Sequence, residues 1–288
     1  MPKYEYTTSA PKEGFFLLPA ELRSMIYGHV LTTPNATLEY TTDNASGHKQ
    51  INQLQHVNTQ LNTECADLEL QFNLTIIISS RVEDDTTAVE QFFELLGYLP
   101  PERQEWLRTI ILHSAAPDVD LASPFYDRFQ LVDSRVNMFR LAKMCTLMPH
   151  MTVKYKLSTF SVRMLGLGPP DKPPWPVDVV MIGSAFSEFL RGDPLPELRA
   201  ARGTMGLQAR YAVGMLRMWR DIYPKYTDPK YHHDNLQAEN LRFYPTEDVL
   251  ESENHPRGPH RHFHDLEETK DLAPIWKAVV RRWVAEGL

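Results

Sequence analysis

The chain has 288 residues, of which 42% are apolar, 10% aromatic and 23% charged, with a formal net charge of -7. That length suits one large domain or two small ones around a buried core, and the acidic balance argues against a nucleic-acid-binding protein, which needs a basic face. Two cysteines, Cys65 and Cys145, both fall in helical apolar patterns, which reads as buried thiols and excludes a disulfide framework.

The opening "MPKYEYTTSAPKEG" is polar and lacks the apolar run of a signal peptide. No stretch approaches the ~18 apolar residues of a membrane span. A cytoplasmic or nuclear protein with no membrane partner is expected, and the glycosylation sequons at Asn35, Asn44 and Asn73 then read as chance matches.

Residues 1 to 14 read as a polar lead-in, and "LPAELRSMIYGHVL" as the first helix. Pro19 suits a helix start, where its missing N–H is no loss, and Glu21 places a negative charge in the first turn. Leu18, Leu22, Ile26 and Val30 recur every four residues as one apolar stripe. Residues 33 to 49 read as a loop with a hairpin around "DNASG". Ile51, Leu54, Val57, Leu61, Cys65, Leu68 and Phe72 step by three or four, predicting one helix over 51–72.

That helix feeds the β-branched "LTIII" (74 to 78), a buried strand. The alternation repeats: "TAVEQFFELLGYL" and "PPERQEWLR" feed "TIILH" (109 to 113), and "YDRFQLVDSRVNMFRLAKMCTLM" feeds "MTVKYKL" (151 to 157). Units 35 to 42 residues apart suit crossovers that build a small parallel or mixed sheet, solenoid-like in its succession. "GLGPPDKPPWP" (166 to 176) holds five prolines in eleven residues and reads as an extended linker or cap. Beyond it come helical "VVMIGSAFSEFL", a helix from 199 to 223, a strand in "NLRFY" (240 to 244) and a closing amphipathic helix presenting Ile275, Val279 and Trp283. The fold class expected is α+β, helix-dominated, with a helical region over 15–72 leading into helix–short-strand units over 73–288.

Three constellations could carry chemistry. His255, His260, His262, His264 and Asp265, with His232, His233 and Asp234 upstream, are metal-capable types, but the spacing of a zinc motif is missing. A solvated loop is the simpler reading, and no metal or cofactor is expected. On the helix from 199 to 223, Arg199, Arg202, Arg210, Arg217 and Arg220 fall within about 80° of one another, opposite Leu207, Tyr211, Met215, Trp219 and Ile222. Such a stripe could grip an acidic partner or another anion, and a solvated face is its bland alternative. Glu83, Asp84 and Asp85 read as a solvated turn. The sequence holds no GxSxG elbow, phosphate loop or dinucleotide fingerprint, so an enzyme is not expected.

"LLPAELRSMIYGHVL" resembles the first helix of the F-box, with Leu18, Pro19, Glu21, Leu22, Ile26 and Leu31 at matching places. The "ELR" and "IY" form is similar to the F-box-like proteins of filamentous fungi, and "QLQHVNTQLNTECADLEL" and "AVEQFFELLGYLPPERQEWLRTIIL" resemble segments that follow in that set. The resemblance implies a protein-interaction role: a helix that docks on the Skp-type adaptor of a cullin–RING ubiquitin ligase, while the remainder recruits an unknown target. It implies Leu18, Pro19, Glu21, Leu22, Ile26 and Tyr27 as the adaptor-facing surface. Two other readings compete: a scaffold or regulatory protein with this helix buried in its own core, and a metal-dependent enzyme built on residues 255–265.

Overall fold

The computed structural model describes residues 14–40, 52–79, 86–113, 128–157, 186–187, 190, 237–245 and 281–287, with the backbone alone for 128–136. The hairpin around residues 43–47, the acidic cluster at 83–85, the Pro-rich segment, the arginine-bearing helix and the His-bearing loop lie outside the described residues. The chain divides into two compact units, one comprising residues 1–38 and 43–74, the other 39–42 and 75–288.

The first unit opens with a 3-10 turn, Gly14–Leu17, and helix α1, Ala20–Leu31. Pro19 stands just ahead of the first helical residue, in extended geometry at φ -51° and ψ 149°. Its carbonyl accepts the N–H of Arg23 at 3.1 Å, the first bond of the helix. The single helix expected over 51–72 is instead three pieces: a 3-10 turn at Gln53–His56, α2 at Thr59–Cys65 and α3 at Leu68–Phe72. Local chemistry explains the breaks. Asn58 caps α2 by accepting the Leu61 N–H at 2.9 Å, and Asp67 takes the left-handed conformation at φ 59°, which short polar side chains tolerate.

These pieces close on a small core of Tyr27, Leu31, Leu61 and Cys65, flanked by Phe15, Phe16, Leu54, Leu68 and Phe72. α1 meets α3 at Gly28, where a Cβ would lie 3.2 Å from the Phe72 ring, so a glycine permits the close approach. Asn73 secures the end of α1: it is 2% exposed, donates to the Leu31 carbonyl at 2.8 Å and accepts from the Thr33 N–H at 2.9 Å. Its side chain is therefore engaged in the fold, in spite of its sequon.

A five-stranded sheet follows in the sequential order β1 (Thr37–Tyr40), β2 (Thr75–Ser79), β3 (Thr109–His113), β4 (Thr152–Leu157), β5 (Leu241–Pro245). The chain thus mixes helices with a small sheet in which β2 to β5 run parallel. β1 occupies part of the segment expected to be loop. "TLEY" is too short for its alternation to stand out, yet Leu38 is 3% exposed and anchors the strand.

One face of β2 to β5 is dry. Ile76, Ile78, Ile110, Leu112, Val153, Leu241 and Phe243 are at most 2% exposed. Helix α4 (Ala88–Tyr98) packs on β2 and β3 and against α6 (Arg128–Leu147), while α5 (Pro101–Gln104) leads into β3. α4 starts at a reciprocal capping box between Thr87 and Glu90, whose carboxylate also accepts from Asn137 of α6 at 3.1 Å. Both cysteines are buried and unbridged, and burial pushes the Cys145 thiol up to about 12, which leaves it unreactive.

Asn240 ties the approach to β5 into the sheet. Its amide nitrogen faces the carbonyls of Cys145 and Met148 at 3.0 Å and of Met151 at 2.6 Å. Asn240→Ala is expected to destabilise the protein by roughly 1–3 kcal/mol in urea unfolding, because it removes the side-chain donor shared by three part-buried carbonyls, of which those of Cys145 and Met148 keep a backbone N–H. Asn240→Asp is expected to be worse, since it turns a carboxylate toward them. Residues 281–286 are helical, with Trp283 1% exposed and donating from Nε1 to the Phe243 carbonyl at 2.7 Å.

Candidate docking surface on helix α1

α1 buries one side of its cylinder and leaves the other in water. Arg23, Tyr27 and Leu31, spaced by four, face the first unit's core. Leu22, Met25, Ile26 and Val30, spaced by three and four on the opposite side, are 45%, 70%, 40% and 56% exposed. The apolar stripe read from the sequence therefore exists, but it is the outer face of the helix.

A polar network sets this rotation. Glu64 of α2 accepts from Arg23 Nε and Nη2, each at 2.9 Å, from the Tyr27 hydroxyl at 2.6 Å and from Gln60 at 2.8 Å. Arg23 Nη1 also donates to the Leu18 carbonyl at 2.6 Å. The paired Arg–carboxylate geometry fixes orientation as well as proximity. With Arg23 and Tyr27 held inward, Leu22 and Ile26 must point outward. The helix therefore has two apolar faces: Tyr27 and Leu31 pack into the core beside the half-buried Arg23–Glu64 pair, and a second apolar row stands in solvent.

Hydrogen bonds from Arg23, Tyr27 and Gln60 hold the Glu64 carboxyl down to about 2, whereas burial and the bond to Glu64 push the Tyr27 phenol upward. A carboxyl whose folded value lies below its unfolded value stabilises the fold above the ordinary carboxylate range. That contribution fades as pH falls toward about 2. The urea midpoint of the first unit is thus expected to drop between pH 5 and pH 2.5, and Glu64→Gln is expected to flatten this dependence while lowering the midpoint at pH 7.

The residues assigned to the surface by resemblance divide. Pro19, Glu21, Leu22 and Ile26 are exposed and Leu18 is half-buried. Tyr27 corrects the expectation: it is 3% exposed, with its ring 5.7 Å from that of Phe15 and its hydroxyl on Glu64, so it belongs to the core. Met25 and Val30 join the exposed face although neither was assigned to it. Met25 was legible from its position three residues after Leu22, whereas the Arg23–Glu64 pair, 41 residues apart, leaves no local signal.

Elsewhere among the described residues the sites are plainer. Pro101, Gln104, Glu105, Arg108, Leu147, Met148 and His150 line an open depression below the starts of β3 and β4. No group of three or more potential metal ligands occurs among the described residues, and no described helix is long and apolar enough to cross a membrane. No protein-family model, curated protein or solved structure shows significant similarity to this chain.

Proposed function

We propose that the chain is an F-box-like interaction protein whose α1 docks on a Skp-type adaptor, with the second unit recruiting a target for ubiquitination. One observation carries this reading: Leu22, Met25, Ile26 and Val30 stand exposed on a helix whose rotation is locked by a half-buried polar network. Fully burying one such side chain is worth roughly 1.5–3 kcal/mol, so a fold that leaves four of them wet forgoes considerable stability. An apolar helix face of this kind suits a hydrophobic groove, read at i, i+3, i+4 and i+8 positions. The exposure also weighs against the reading in which α1 only closes its own core. The resemblance of "LPAELRSMIY" to the F-box helix selects the partner class.

Size-exclusion chromatography of the purified protein with a fungal Skp-type adaptor tests the proposal. A stoichiometric complex at micromolar concentration is expected. Separate elution of the two proteins would reject adaptor docking.

A further inference from the structure

The outward row of α1 is not purely apolar. At about 100° per residue, Met25, His29, Leu22, Ile26 and Val30 follow one another across an arc of roughly 140°, with His29 about 20° from Leu22. His29 is exposed, stands in the last turn of the helix, and its ring has no hydrogen-bond partner among the described residues.

The charged groups around it are engaged or distant. Arg23 of α1 and Glu64 of α2 bind each other, and Glu69 of α3 accepts from Asn52 at 2.7 Å. Asp67 begins α3 at the end away from Phe72, the residue that meets α1 beside His29. Glu21 is exposed at the other end of α1, about 12 Å along the axis.

Whatever covers Leu22, Met25, Ile26 and Val30 must therefore also cover His29, which lies between them. A polar group taken out of water without a partner costs roughly 1–3 kcal/mol. A groove lined by apolar groups alone would thus reject this helix, and the covering surface has to hold an acceptor at that point. The place of His29 on the helix decides which acceptor. The helix dipole makes the last turn negative and favours the cationic ring, which donates from both nitrogens and accepts at neither. A neutral carbonyl would satisfy one N–H and leave the charge unmet, whereas a carboxylate answers both.

We propose that the adaptor groove presents a carboxylate opposite His29, and that this pair sets which partner is accepted and where α1 lies along it. The inference rests on the docking reading above and gives the chemistry of the partner's groove. The four apolar side chains supply area, and the imidazole supplies register and selectivity. Imidazoles take up a proton between about pH 8 and pH 5. A carboxylate favours the protonated ring in the complex, so binding takes up protons, tightens as pH falls through that range and weakens as it rises.

Isothermal titration calorimetry of the full chain with a fungal Skp-type adaptor, from pH 8 to pH 6, tests this. The parent is expected to bind about fivefold more tightly at pH 6 than at pH 8, and His29→Gln to show no such gain. At pH 7, His29→Lys is expected to stay within about threefold of the parent, and His29→Glu to bind roughly tenfold more weakly or worse. His29→Leu is expected to weaken binding too, although it adds apolar area, because it leaves the carboxylate unpaired. His29 is exposed in the free chain, so melting temperatures are expected to move little in all four variants, which separates lost binding from lost fold.

Tighter binding of His29→Leu, parent-like binding of His29→Glu, or an equal pH dependence in the parent and His29→Gln would each overturn the proposal and leave adaptor docking standing. Absence of a complex at every pH would overturn both readings.

Discussion

Replacing Leu22 and Ile26 of α1 with aspartate is expected to abolish the adaptor complex while leaving the fold in place. Both side chains are 40–45% exposed, so new carboxylates there remain solvated and the melting temperature is expected to move by only a few degrees. In a hydrophobic groove the same carboxylates would be buried without a partner. Losing two anchors and adding that penalty is expected to weaken binding by more than a hundredfold. Chromatography with the adaptor reads the loss, and circular dichroism reads the retained helix. If α1 were instead a core element, the double variant would unfold before any question of binding arose.

The residue next to Ile26 is expected to behave in the opposite way. Tyr27 is 3% exposed, packs against Phe15 and donates its hydroxyl to Glu64 at 2.6 Å. Tyr27→Ala removes an aromatic side chain from the small core and is expected to destabilise the first unit by about 3–5 kcal/mol in urea unfolding. Tyr27→Phe keeps the ring and loses only the hydrogen bond, with an expected effect of roughly 1–2 kcal/mol. A surface role for Tyr27 would instead leave both variants within about 0.5 kcal/mol of the parent. Two adjacent positions, one governing association and the other stability, are what a helix with one apolar face in the core and another in solvent requires.

The strands and most helices were legible because their signals are local. β-branched runs at 74–78 and 109–113 lie within one residue of β2 and β3, and the three-and-four spacing of 88–98 gives α4. The division of 51–72 into three pieces was not legible from apolar periodicity. That pattern counts Leu61, Cys65 and Leu68 as one face, and takes no account of a left-handed Asp67. The stripe on α1 was legible, and the resemblance set Leu22 and Ile26 on an outward surface, but periodicity alone gave no direction, because the Glu64 network that turns the stripe outward joins residues 41 apart in sequence.

Amide hydrogen exchange of the protein with and without the Skp-type adaptor tests the central claim most directly. Docking on α1 predicts slower exchange of the amides of residues 20–31 in the complex, because binding suppresses the openings that expose them, with β3 at Thr109–His113 unchanged. Unchanged exchange in α1 under conditions where the two proteins are mixed at saturating concentration would contradict the account.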